Sequence, residues 1–171
     1  VIAMPTYHAG SFLVARPVLQ DPNFKQTVVL LLQHGGGGAF GLVINRPAKV
    51  DGLPFPVYTG GPCGSEGLLM LHGNPEWQKL SDEKPEKAIA PGVYLGDAAC
   101  LKRVTEGSEK ATLRFRLFAG YAGWGPGQLE GELAAGAWAI VPATGDLLFD
   151  APVEEIWTQL LPPAIPQFSA N

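Results

Sequence analysis

At 171 residues the chain has the length of one ordinary domain, and with 46% hydrophobic residues it is not a disordered or tail-like protein. Its 22 glycines and 16 prolines follow no collagen-like period, which argues against a helical bundle and for short elements joined by tight turns. The net charge is −4, from 12 Lys and Arg against 16 Asp and Glu, so the chain as a whole lacks the clustered positive charge that a reader of duplex DNA needs.

No run approaches the roughly 18 apolar residues of a membrane-spanning helix, and the first five residues, Val1 to Pro5, show neither a basic nor a long apolar stretch of a signal peptide. Cys63 and Cys100 sit in unlike contexts without metal-ligand spacing, so two reduced thiols are expected and a disulfide is not. Together these features predict a cytoplasmic protein without membrane association.

In chain order, residues 12–15 form a short apolar strand stopped by Arg16 and Pro17. Residues 27–33 and 39–45 read as strands buried on both faces, and Gly35 to Gly38 join them as a hairpin loop. Arg46-Pro47 ends the second, because proline cannot donate to a ladder. Strands follow at 57–59 and 67–72 around the turn Gly60-Gly61-Pro62, and residues 73–92 turn charged, a solvated loop around Trp77. Residues 93–95 make a short strand, and Asp97 is placed to cap a helix running through Val104 and closed by Gly107.

Residues 111–118 alternate, with Leu113, Phe115 and Leu117 on one face and Arg114 and Arg116 on the other, which predicts a half-exposed strand. Pro126 suits the first turn of a helix to Ala135, ended by Gly136, and residues 137–141 are a strand. Asp150 and Pro152 predict the start of a last helix whose apolar stripe is Val153, Ile156, Trp157, Leu160 and Leu161. Strands bunched early and helices late give an α+β class, one domain with a core over about 9–161 and an extended tail over 162–171.

No complete catalytic constellation stands out. The glycine run at 35–38 lacks the Gly-Lys-Ser/Thr of a phosphate loop and leads into a strand, not a helix. Ser65 falls short of a nucleophile elbow because Cys63 stands where glycine is needed. His8, His34 and His72 lack metal-ligand spacing, so no metal and no cofactor is expected, although His34 and His72 can meet in space. Glu130 and Glu132, at i and i+2 on a helix, point apart.

Asn45 and Arg46 end a buried strand where a guanidinium can take a carboxylate or phosphate; pairing with an acid inside the fold is the plainer alternative. The densest cluster is residues 120–130, where glycines surround Tyr121 and Trp124 immediately before a helix carrying Gln128 and Glu130. Read as a loop, it can approach a ligand or partner closely, or its aromatics can fill a strand-to-helix corner.

Several of these segments together resemble the YqgE/AlgH family of bacterial proteins: residues 10–15 with Asp21-Pro22-Asn23-Phe24, residues 41–47, Gly60-Gly61-Pro62, Leu71-His72, and above all Gly123-Trp124-Gly125-Pro126 with Gln128, Leu129, Glu130, Glu132 and Ala137-Trp138. The resemblance runs from about residue 9 to residue 160. It implies a compact α+β fold with a bent, barrel-like mixed sheet surrounded by helices, and brings no established catalytic residues or cofactor. Cys63 departs from the aliphatic residue usual there, which counts against a family-wide catalytic cysteine. The AlgH label implies transcriptional regulation without establishing DNA contact.

Three functional readings follow. The first is a non-enzymatic regulatory protein acting through a protein partner. The second is a small-ligand binder or undiscovered enzyme gathering Asn45, Arg46, His72, Tyr121, Trp124, Gln128 and Glu130. The third, direct nucleic-acid binding through Arg114 and Arg116, is disfavoured by the acidic balance.

Overall fold

The computed structural model describes residues 7–48, 52, 55–80, 88–106 and 114–163. Expectations for Gly107, Leu113, the charged residues 82–87 and the tail beyond Pro163 fall outside them. The described chain is an α+β fold built on one mixed sheet that bends without closing.

Nine strands make the sheet: β1 (Ser11–Ala15), β2 (Val28–Gly35), β3 (Gly38–Val43), β4 (Pro47–Ala48), β5 (Val57–Thr59), β6 (Cys63–His72), β7 (Tyr94–Leu95), β8 (Phe115–Trp124) and β9 (Trp138–Pro142). Among the described residues four helices flank it: α1 (Ala98–Glu106), α2 (Gln128–Ala134), α3 (Gly145–Asp150) and α4 (Ile156–Leu160), with a 3₁₀ turn at Pro75–Leu80. The strand order is β4-β5-β8-β3-β2-β1-β9, and β6 joins β8 and β7. All pairings are antiparallel except β5 with β8.

The continuous apolar runs of β1 and β2 are explained by burial on both faces. Phe12, Val14, Val28 and Leu30 face a core covered by Leu148 and Phe149 of α3 and Ile156 of α4. Leu13, Ala15, Val29 and Leu31 face a second core with Trp124, Trp138 and Leu129 of α2. A third core gathers Val57, Met70, Leu117 and Trp77 with Cys100 and Val104 of α1. The Asp97 cap is present: its Oδ1 accepts the Cys100 N–H at 3.0 Å.

The expected loop at residues 120–124 is instead the second half of β8. Residues 115–119 pair with β6, 117–119 of them also with β5, and residues 122–124 pair with β3. The strand bends at Gly120, φ +78°, where a Cβ would sit 2.6 Å from the Gly61 carbonyl oxygen. Gly60 and Gly61 meet the same backbone from the other side. Glycine there turns the strand without ending it.

The last helix also differs. Asp150 ends α3 rather than capping α4, and Thr144 caps α3 by accepting the Leu147 N–H. Ala151, before Pro152, is extended (φ −71°, ψ 138°), as a residue preceding proline is driven to be, and residues 153–155 form a turn, so Val153 of the apolar stripe stands outside α4.

Candidate functional site

Asn45 and Arg46, beyond the end of β3, spend their polar groups on the loop before β2. Asn45 Oδ1 accepts the Val28 N–H at 2.9 Å and its Nδ2 donates to the Gln26 carbonyl at 3.0 Å. The Arg46 guanidinium donates to the carbonyls of Asn23 (2.6 Å) and Lys25 (3.0 Å). The Asp21-Pro22-Asn23-Phe24 and Asn45-Arg46-Pro47 segments are thus two halves of one structural joint.

The second joint ties α2 to the sheet through Glu132. Its Oε1 accepts both indole N–H groups, from Trp124 at 3.1 Å and Trp138 at 2.9 Å, and its Oε2 accepts Gln128 Nε2 at 3.1 Å. Gln128 Oε1 in turn accepts the Gly125 N–H at 3.0 Å, holding the turn into the helix. Phe24 stacks on Trp124 and meets Trp138 edge-on. Trp124, Gly125, Gln128, Glu132 and Trp138 are thus bonded together in one corner of the fold.

Glu130, two residues earlier, points elsewhere, to His34 Nε2. A bulge explains why His34 is there. Leu31 pairs with Gly41 and Gln33 with Phe40, so β2 carries one extra residue against β3. A regular strand puts residues 30, 32 and 34 on one face; the extra residue switches the parity, and His34 faces α2. Its Nδ1 accepts the His8 N–H at 3.0 Å, and the Tyr7 and His8 rings lie 5.0 and 5.8 Å from it. With Nδ1 accepting, the network assigns the ring proton to Nε2, donated to Glu130. That bond holds the Glu130 carboxyl below its ordinary range, and burial, followed by the nearby His34, lowers His8 against the opposing pull of Glu130.

Beside this cluster opens a cleft of about 440 Å³, lined by Gln33, His34, Phe40, Trp124 and the glycine hairpin. Trp124, Gln128 and Glu130 therefore gather on one side of the molecule, Trp124 lining the cleft and the α2 residues tied to its walls through Glu132 and His34. Tyr121 packs its ring 4.7 Å from Phe40 and lines a second hollow of about 140 Å³ with Gly64, Leu68 and Phe118. Asn45 and Arg46 stand at the opposite end of β3 from the hairpin.

His72 lies elsewhere again. It pairs with Phe115 at the start of β8, whereas His34 is in register, through Ala39, with Trp124 at its end. The two do not meet. The His72 ring is buried against Trp77 and Tyr94, accepts the Asn74 N–H at Nδ1, and is shifted down chiefly by burial, against Asp97 and Glu76. Arg114 is paired with Asp146 and Asp150 of α3, and Arg116 donates to the Phe149 carbonyl.

The residues in these two joints are the ones that carried the family resemblance, and a family pattern matches residues 12–164. The chain belongs to the AlgH-like family. The UPF0301 protein AlgH of Pseudomonas aeruginosa is 38% identical over 168 residues, covering 88% of this chain and 85% of that one. A UPF0301 protein of Streptomyces avermitilis is 40% identical over 167 residues, covering 89% and 84%. The solution structure of P. aeruginosa AlgH superimposes with a TM-score of 0.69 at 34% identity, over 93% of this chain and 89% of that one. A crystal structure from Corynebacterium diphtheriae has the same fold, TM-score 0.70 at 22% identity, over 93% and 88%. Among the described residues no group of three or more His, Cys, Asp or Glu is arranged to hold a metal, and no helix is long and apolar enough to cross a membrane.

The sequence reading missed His34, His8 and Phe40 as neighbours of the α2 motif. His34 beside a glycine hairpin was the available signal; the parity switch that aims it at Glu130 was not written in any residue type.

Proposed function

We propose that this AlgH-like protein acts by binding rather than by catalysis, in the cytoplasm, and that the cleft beside the glycine hairpin receives a segment of a protein partner. One observation carries this reading: the chemically capable side chains around the cleft are already engaged by the chain itself. Both ring nitrogens of His34 and both carboxylate oxygens of Glu132 are bonded, which leaves a shaped surface of Gln33, Phe40 and glycine backbone. Among the described residues no Lys or Arg lines it, and the carboxylates bonded to its lining residues, Glu130 to His34 and Glu132 to Trp124, suit a neutral or basic segment better than an acidic one. Any regulatory effect then passes through the partner. Direct DNA contact is disfavoured because Arg114 and Arg116 are spent on α3.

A photo-crosslinking residue at Gln33 tests this in cells, with one at the exposed Val18 as control. A discrete partner adduct from position 33, absent from position 18 and abolished by Gly37→Trp, supports the reading. Identical adducts from both positions, or none from 33, sink it. A small-ligand reading is favoured by the volume alone, about 440 Å³ against roughly 300–1,000 Å³ for such sites. A fragment screen that shifts the Gly37 and Phe40 amides would move the conclusion there.

A further inference from the structure

We propose that residues 7–10 are a strap held on the β2–β3 hairpin by one protonation state of His34, and that a proton at its Nδ1 releases them. Among the described residues the strap is anchored by backbone bonds and by a close approach of Gly10 to the Ile89 carbonyl. Gly10 donates its N–H to the Leu31 carbonyl at 2.8 Å, and Ser11 to the His8 carbonyl at 3.0 Å. Tyr7 is 45% exposed and reaches the hairpin by its ring edge on His34 and its hydroxyl near Gly36. Residue 8 is held to the hairpin by its own N–H on His34 Nδ1 and by its ring stacked on His34.

A nitrogen that accepts a hydrogen bond carries no proton. Protonating Nδ1 would set its N–H against the His8 N–H, two donors face to face in a site where the His34 side chain is wholly shielded from solvent. On the other side of the ring Glu130 stays ionised, because His34 holds its carboxyl below the usual range. Among the described residues the titratable groups facing the ring are Glu130 from α2 and Tyr7 and His8 from the strap; across the hairpin its partner is Ala39, which has no charge.

Because the strapped state excludes that proton, its population relative to the released state falls about tenfold for each pH unit below the midpoint. His34 touches both the strap and the cleft, so release frees one wall of the cleft. That consequence for partner capture rests on the binding reading above, whereas the release itself does not.

The test follows imidazole ¹⁵N shifts and residue-specific amide exchange on the full chain across pH 8 to 5. The expected result is a bare Nδ1 and a protected residue-8 amide at the upper end. Protection should then be lost at the same midpoint at which Nδ1 gains its proton, while the β2 amides stay protected. His8→Ala keeps the backbone donor and should keep the step; His34→Gln offers an amide oxygen that does not titrate and should abolish it. The proposal is overturned if the residue-8 amide stays protected after Nδ1 is protonated. It is equally overturned if Nδ1 stays bare until the whole protein unfolds, or if the step disappears in His8→Ala. Should His34→Gln fail to fold, the wild-type midpoints and His8→Ala still decide. No partner enters the readout, so failure here leaves the cleft reading standing.

Discussion

Glu132 joins a helix to two strands through one carboxylate. It accepts from Trp124, Trp138 and Gln128, and both indoles are at least 94% buried, so deleting it strands two donors in a place water does not reach. Hydrogen bonds to charged groups contribute about 1.5–3 kcal/mol each, and orphaned partners add to the loss. Glu132→Ala should therefore lower stability by about 3 kcal/mol in urea denaturation, far more than Gln128→Ala, which leaves the indole pairs intact. His72 gives a second prediction, in pH. Burial lowers its folded-state pKa, so the unfolded chain takes a proton near pH 6.5 that the folded chain refuses, and stability present above that pH is lost as pH falls. Between pH 7 and pH 5 the wild type should lose up to about 1.4 kcal/mol per unit more than His72→Phe. Parallel acid limbs for the two proteins in denaturant titrations at each pH would contradict this.

At the scale of elements, two glycines with nearly the same backbone separate conformational strain from close approach. Gly120 has φ +78° and Gly127 φ +76°, but a Cβ at 120 meets the Gly61 carbonyl at 2.6 Å while one at 127 meets nothing within 4 Å. Gly127→Ala should cost about 1 kcal/mol, roughly 2–4 °C in melting temperature, from the left-handed conformation alone. Gly120→Ala should cost at least twice that, because the Gly61 turn and the start of β6 must move away from β8; equal losses in calorimetry would remove the close-approach account. The same glycine marks where sequence pattern stopped being legible. β1, β2, β3 and α2 announced themselves through apolar runs and a glycine turn, although Pro126, expected in the first turn of α2, stands in the turn before its Gly127 cap. The continuation of β8 past Phe118 did not, since a glycine in a strand and a glycine in a loop look alike until a neighbouring backbone is known to lie against it. The cleft was legible by halves. Trp124, Gln128 and Glu130 stood out, but the residue that faces them, His34, depends on a bulge, and a bulge belongs to the pairing of two strands rather than to either one.

For the whole molecule, the sheet divides at β8 into regions of unequal protection. β1 lies between β2 and β9, has Phe12 to Ala15 fully buried, and is covered on one face by α3 and α4 and on the other by α2 and the indoles. Opening it requires parting both cores, so its amides should exchange only by global unfolding. The start of β6 is held differently. Cys63 pairs with Tyr121 and the next registered pair is Leu68 with Ala119, so the residues between bulge away from the ladder, and Gly64 and Gly67 are exposed. Hydrogen exchange followed by mass spectrometry or NMR should place Leu13 and Val14 in the slowest class with Val29 and Leu30, and residues 64–67 in the fastest of any strand. If the start of β6 were as slow as β1, the two regions would open as one cooperative unit, and Gly120 would be a bend within a single rigid body. If they separate as expected, the β1–β3 side with its cleft stays folded while the β6 edge opens, and the surface proposed to bind a partner sits on the part of the molecule that moves least.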